Sequence, residues 1–140
     1  MKILHCALLA SAVQLSVSVG SSSTGLPPGT ADVIEVAGQG KVLGVRADAA
    51  NLRYWLGVPF AADTAGPNNW VPPVARAPWD FVLDCTAWGA GCLSPHHNAD
   101  VPKNTSTDCL NLNIFVPARA TGPLPVLLFF VRPLGPTAIL

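Results

Sequence analysis

A continuous apolar run near the C-terminus, Val126-Leu127-Leu128-Phe129-Phe130-Val131, most narrows what this chain can fold into. It follows the turn Thr121-Gly122-Pro123 and shows no alternation of apolar and polar residues. Such a run suits a strand buried on both faces, as in a parallel sheet covered by helices. A parallel sheet also needs crossover helices and further strands, and residues 132–140 supply neither. The expectation is an antiparallel N-terminal meander tethered to a poorly satisfied apolar tail. A strand exposed in this way is prone to self-association and aggregation.

Upstream the punctuation is dense. The chain carries 14 Pro and 12 Gly, which forces turns and argues against an all-helical protein. Short alternations at Val33/Val36 and Val42/Val45, broken by Gly38, Gly40 and Gly44, predict two strands joined by a tight glycine turn. Leu52 to Phe60 reads as another strand, ended by Pro59, and Ala61 to Pro78 as a loop. Phe81 to Leu83 is a short extended piece. Leu110, Leu112, Ile114 and Val116 alternate with Asn111, Asn113 and Phe115, the pattern of a half-buried strand. After the first twenty residues, no stretch carries a helical stripe.

Those twenty residues have the order of a secretory signal. Lys2 precedes an apolar run from Ile3 to Val19, and Ser18 and Gly20 suit the small positions before a cleavage site. A membrane anchor is the competing interpretation, but His5, Gln14 and several serines interrupt a run that is already short for a span. Cleavage would remove Lys2 and Cys6, leaving Cys85, Cys92 and Cys109. In an oxidising compartment, three cysteines read as one disulfide and one leftover thiol. Asn104-Thr105-Ser106 is the sole N-glycosylation sequon, open to modification only in a secreted chain. The whole sequence has a formal net charge of zero with no basic cluster, so nothing in it favours nucleic acid or an anionic membrane.

Several blocks, in order, resemble the type-B carboxylesterases, a family that includes cholinesterases and fungal lipases. Gly57-Val58-Pro59-Phe60-Ala61 is similar to the family's Gly-Ile-Pro-Tyr-Ala segment. Asn69-Trp70-Val71-Pro72-Pro73, followed by Trp79, resembles Arg-Phe-x-x-Pro and a later Trp. Asp84-Cys85-Thr86-Ala87-Trp88-Gly89, then Cys92, resembles Asp-Ala-Thr-x-x-Gly-x-x-Cys. Ser106-Thr107-Asp108-Cys109-Leu110-Asn111-Leu112-Asn113 resembles Ser-Glu-Asp-Cys-Leu-x-Leu-Asn, the most specific of the blocks. Leu124-Pro125-Val126-Leu127 looks like the strand leading to the oxyanion loop.

The resemblance implies an α/β class, as a truncated N-terminal part of an α/β-hydrolase fold: short antiparallel strands and loops ending at the first buried central strand. With the signal peptide (1–20) and flexible lead-in (21–30) read from composition, it leaves a partial carboxylesterase domain (31–131) and a non-family tail (132–140). It also implies a disulfide between Cys92 and Cys109, with Cys85–Cys92 as the main rival pairing, and leaves Asn104 as the glycosylation candidate. The family often pairs an Arg in the second block with the Glu of its signature; here those positions are Asn69 and Thr107, so both charges are gone together. An unpaired charge left in a poorly solvated place would cost several kcal/mol, so the joint loss points to descent from a protein that folded.

Where the family has a His-Gly-Gly-Gly turn, whose backbone amides stabilise the tetrahedral oxyanion, this chain reads Val131-Arg132-Pro133-Leu134-Gly135-Pro136. Pro133 and Pro136 have no amide hydrogen to donate. No Gly-x-Ser-x-Gly elbow occurs in the sequence. Ser94, His96 and Asp100 have triad chemistry, but three residues of one loop are seldom held in triad geometry. Adjacent His96 and His97 lack acidic or thiolate company and read as solvated loop residues rather than metal ligands. Asp80 and Asp84 oppose formation of a Cys85 thiolate.

The resulting expectation is a truncated, secreted carboxylic-ester hydrolase that is inactive alone, from a family acting on small-molecule or lipid esters. No cofactor, metal or nucleic-acid partner and no stable membrane span is expected. Self-association would run through the apolar strand. The alternative is a secreted, non-catalytic, esterase-like binding module, as in neuroligin-like relatives.

Overall fold

A computed structural model describes residues 18–19, 25–93 and 104–130. The predicted signal, the segment with Ser94, His96, His97 and Asp100, and the tail after Phe130 lie outside the described residues, apart from the backbone of Ser18–Val19.

The described residues form eight strands: β1 (Ser18–Val19), β2 (Gly29–Val36), β3 (Gly40–Ala47), β4 (Leu52–Pro59), β5 (Val82–Asp84), β6 (Gly91–Cys92), β7 (Thr105–Ser106) and β8 (Asn111–Pro117). Six of them form one sheet in the order β1-β2-β3-β4-β8, with β5 added parallel to β3. β6 and β7 make a separate parallel pair. The two predicted strands around the glycines are β2 and β3, paired antiparallel from Thr30↔Arg46 to Val36↔Gly40. Their turn is closed by Gln39 N–H donating to the Val36 carbonyl at 2.9 Å, with Gly38 at φ 73°.

The period-2 pattern decides what each strand buries. On β4, Trp55 and Val58 face one side, packed with Val42 of β3 and with Cys85 just after β5. Tyr54 and Leu56 face the other side, with Val45 of β3. The middle of the sheet is therefore covered on both faces. β2 alternates between exposed and half-buried residues, as a strand with one wet face does. Trp55, at 2% exposure, is among the largest fully buried side chains, and its indole N–H donates to the Asp32 carbonyl at 3.2 Å. Gly44 makes that placement possible, since a Cβ there would lie 2.4 Å from Trp55 Cδ1.

β3 and β4 are paired only at one end, from Val45↔Tyr54 to Ala47↔Leu52. Where they part, the β5 segment enters: Cys85 N–H donates to the Leu43 carbonyl at 2.8 Å, and Leu56 N–H to the Cys85 carbonyl at 2.7 Å. A bulge between Trp55 and Val58 then re-aims the end of β4 against β8. Gly57 sits in that bulge at φ 65°, a conformation glycine adopts without steric cost.

The expected strand at Pro125 to Val131 is not formed over the described part, 125–130. Val126 and Leu127 are each 90% exposed and Phe130 is 83% exposed. A strand is held by neighbours that take its backbone hydrogen bonds and cover its faces, and among the described residues nothing pairs with this run. The apolar sequence encodes a preference that the surrounding residues do not satisfy.

Candidate functional site

Several residues of the family-like blocks meet at the end of the sheet where β4 has parted from β3 and pairs with β8. There the β4 bulge, the loop after β5 and the β6–β7 pair enclose an open cleft of about 390 Å³. Gly57, Arg76, Asn104, Ser106, Asp108 and Asn111 are among its lining residues. Each comes from a family-like block or its flank, so residues far apart in sequence converge because β4, β5 and β8 share one sheet.

Asn111 organises the floor. Its side-chain amide donates to the carbonyls of Ala90 at 2.9 Å and Cys109 at 3.2 Å. Gly89 lies against it so closely that a Cβ there would be 2.5 Å from Asn111 Oδ1. Asn113, two residues on, accepts the Gly57 N–H at 2.9 Å and holds the bulge. The two asparagines of the Leu-Asn-Leu-Asn block thus act as substitutes for backbone partners, which explains their spacing of two on a strand.

A disulfide adjoins the lining residues Asp108 and Leu110 in sequence. Cys92 and Cys109 are joined, with Cα atoms 5.0 Å apart. β6 and β7 lie beside it in register Gly91↔Thr105 and Cys92↔Ser106, and Gly91 N–H donates to the Asn104 carbonyl at 3.0 Å. Asn104 is exposed on the cleft side, whereas Ser106 is half-buried and its hydroxyl accepts the Asp108 N–H at 3.0 Å. Cys85 is buried in the core with Val42, Trp55 and Val58, is a free thiol, and its pKa is pushed up to about 11 by burial first and by neighbouring Asp84 second. A thiol in that state is a poor nucleophile at neutral pH.

At the two positions where the family often has Arg and Glu, backbone groups carry one short-range and one long-range bond. Asn69 N–H donates to the Gly66 carbonyl at 3.1 Å, and the Thr107 carbonyl accepts the Thr64 hydroxyl. Arg76 also lines the cleft, with its guanidinium 5.7 Å from the Trp79 ring. The cleft therefore offers one cation, one carboxylate and several amide groups. Among the described residues there is no histidine, and no cluster of three or more His, Cys, Asp or Glu able to hold a metal; Ser94, His96, His97 and Asp100 lie outside them. No helix of the described residues is long and apolar enough to cross a membrane.

Sequence inspection missed two features. Asp32 on β2 and Arg53 on β4 form a two-pronged ion pair, at 2.6 and 3.2 Å, with the guanidinium 5.0 Å from the Trp55 ring. Their 21-residue separation leaves no local signal. Trp70 is 97% exposed with φ 65°, an uncommon backbone conformation for a bulky residue. Only its place in the Asn-Trp-Val-Pro-Pro block hinted at a role.

Comparison with known proteins matches the carboxylesterase family to residues 30–131. Acylcarnitine hydrolase of Mus musculus is 36% identical over 104 residues, covering 65% of this chain and 18% of that protein. Carboxylesterase 5A of Homo sapiens is 38% identical over 104 residues, covering 66% of this chain and 18% of that protein. Among solved structures, a PNB esterase aligns with a TM-score of 0.57 at 30% identity, over 67% of this chain and 18% of that one. A thermophilic PNB esterase gives 0.59 at 27% identity, over 67% of this chain and 20% of that one. The chain thus spans about a fifth of the length of the proteins it matches.

Proposed function

The chain belongs to the carboxylesterase family, and from that premise we propose that it is the N-terminal portion of a secreted carboxylic-ester hydrolase, inactive towards esters by itself. Its fold is the early, mostly antiparallel part of the α/β-hydrolase architecture of its structural neighbours. The observation that carries the proposal is the apolar run: Val126 to Phe130 are 62–90% exposed, next to a sheet whose β8 edge has no further strand among the described residues. An uncovered run of that composition is what a sheet awaiting more layers presents.

Inactivity follows from chemistry. Ester hydrolysis by this family needs a nucleophilic serine, a histidine base and amide donors at the oxyanion, and Pro133 and Pro136 stand where donors are required. Secretion is supported by Lys2 with the apolar run after it, by the sequon at Asn104, and by the Cys92–Cys109 bond, which suits an oxidising compartment. On this division, residues 1–20 are a cleaved signal, 21–30 a lead-in, 31–131 the partial domain and 132–140 a tail outside it. Two experiments test the proposal. The purified chain should hydrolyse a short-chain aryl ester no faster than buffer; turnover that persists after Ser94→Ala and His96→Ala would refute inactivity and exclude the loop triad. Expression with the native first twenty residues should place the chain in the medium, and retention in the cytosol would refute secretion.

A second assignment, a secreted non-catalytic binding module, is favoured by Trp70, an exposed aromatic held in an uncommon conformation. It requires the chain to be monodisperse in solution. Concentration-dependent aggregation relieved by Leu127→Lys would instead mark self-association through the apolar run.

A further inference from the structure

We propose that N-glycosylation of Asn104 and closure of the Cys92–Cys109 disulfide compete for the same segment, so that Asn104 is modified only before the β6–β7 pair forms. The inference rests on the secreted assignment above and adds an order of events to it.

Transfer to a sequon needs two groups presented together: the amide of the Asn side chain and the hydroxyl two residues on. In the folded chain Asn104 is exposed, but the backbone of its sequon is engaged. The Asn104 carbonyl accepts Gly91 N–H at 3.0 Å, and Thr105 and Ser106 are paired with Gly91 and Cys92. Ser106 is half-buried with its hydroxyl committed to Asp108 N–H at 3.0 Å. Cys109, three residues beyond, is covalently tied to Cys92, the residue that pairs with Ser106. The bond therefore clamps the sequon into a strand at both backbone and hydroxyl. Opening that strand for a transferase means breaking these bonds against a closed loop.

The two reactions are chemically independent. In glycosylation the Asn104 amide nitrogen attacks the anomeric carbon of a lipid-pyrophosphate-linked oligosaccharide. An N–C bond forms, the C–O bond to phosphate breaks, one amide proton is released, and the lipid pyrophosphate leaves. In oxidation the Cys92 and Cys109 thiols give two electrons and two protons to a disulfide-bearing oxidoreductase, which departs as a dithiol. What they share is the segment. Cys109 leaves the ribosome within about a second of Asn104 at ordinary synthesis rates, and disulfides close in seconds or longer, so neither reaction is guaranteed to finish first.

The test is translation of the full chain into endoplasmic-reticulum microsomes, with and without dithiothreitol. Occupancy is read from an endoglycosidase-sensitive gel shift, and the disulfide from maleimide tagging of free thiols. Asn104→Gln identifies the glycosylated band. Dithiothreitol should raise wild-type occupancy roughly twofold or more, as expected when events of similar rate compete. Cys92→Ser should show the raised level with or without reductant. Trp55→Ala, which loosens the main sheet, should stay at the wild-type level within its disulfide-bonded fraction.

Three results would overturn the proposal: equal occupancy with and without reductant, no gain in Cys92→Ser, or a gain in disulfide-bonded Trp55→Ala as large as in Cys92→Ser. No occupancy in any arm would do so too. A second chain carrying an unrelated cleavable leader before Ser21 separates the two premises. Translocation only with that leader refutes native secretion, while the competition is still read from the second chain.

Discussion

Replacing Gly57 by alanine tests the account of how β4 is bent into β8. Two costs are separable. Gly57 has φ 65°, and a side chain in that left-handed region costs about 1–2 kcal/mol. A Cβ would also lie 2.8 Å from Gly89 N and 2.9 Å from Gly89 Cα, both backbone atoms. Gly89 is in turn held against the Asn111 side chain, so forcing it aside adds about 1–3 kcal/mol, as overpacking usually does. The sum is about 2–5 kcal/mol, a large share of a small domain's stability. Gly38→Ala is the control: its φ is 73°, but nothing lies within 4 Å of its added Cβ, so only the first cost applies. Urea unfolding followed by tryptophan fluorescence reads both, because Trp55 is 2% exposed when folded. With a slope of about 1–3 kcal/mol per molar urea, Gly57→Ala should lower the midpoint by roughly 1–2 M. Gly38→Ala should lower it by well under that. Equal shifts in the two variants would show that Gly89 yields freely and that the bulge is not wedged by backbone contact.

Three further outcomes follow from the same structure. The Cys85 thiol has a folded pKa of about 11 against an ordinary 9.0, so the folded chain holds the proton more tightly; stability is intact below pH 9 and falls as pH rises towards 11, by roughly 2–3 kcal/mol. Cys85→Ala should remove most of that slope, leaving a smaller one of the same sign from Tyr54, whose pKa is also raised by burial; an unchanged slope refutes the assignment. Asp32→Asn removes the charged acceptor of Arg53, whose side chain is only 27% exposed, and should cost about 1–3 kcal/mol in urea unfolding. A double-mutant cycle with Arg53→Met that shows no coupling would mean the pair adds nothing. Cleavage of the Cys92–Cys109 bond, which spans 17 residues, should lower stability by about 3 kcal/mol on chain-entropy grounds; reduction that leaves thermal unfolding unchanged would contradict this.

The sequence by itself determined the local elements and the family. Apolar alternation placed β2, β3 and β8, Pro59 marked the end of β4, and the Asp-Cys-Leu-x-Leu-Asn block identified the carboxylesterase resemblance. These are short-range facts: a period of two, a ring without an N–H, a motif read in order. The tertiary structure decided what depends on distant partners. Arg53 finds Asp32 only because β2, β3 and β4 lie side by side, and Gly57 meets Gly89 only because β4 bulges towards the loop after β5. Asn104, exposed in a loop by composition, proved to have its sequon pinned by Gly91, Cys92 and Asp108. The run at Val126 shows the limit most plainly. Its sequence expresses a strong preference to be a buried strand, yet burial belongs to whatever surrounds a segment, and among the described residues nothing covers it.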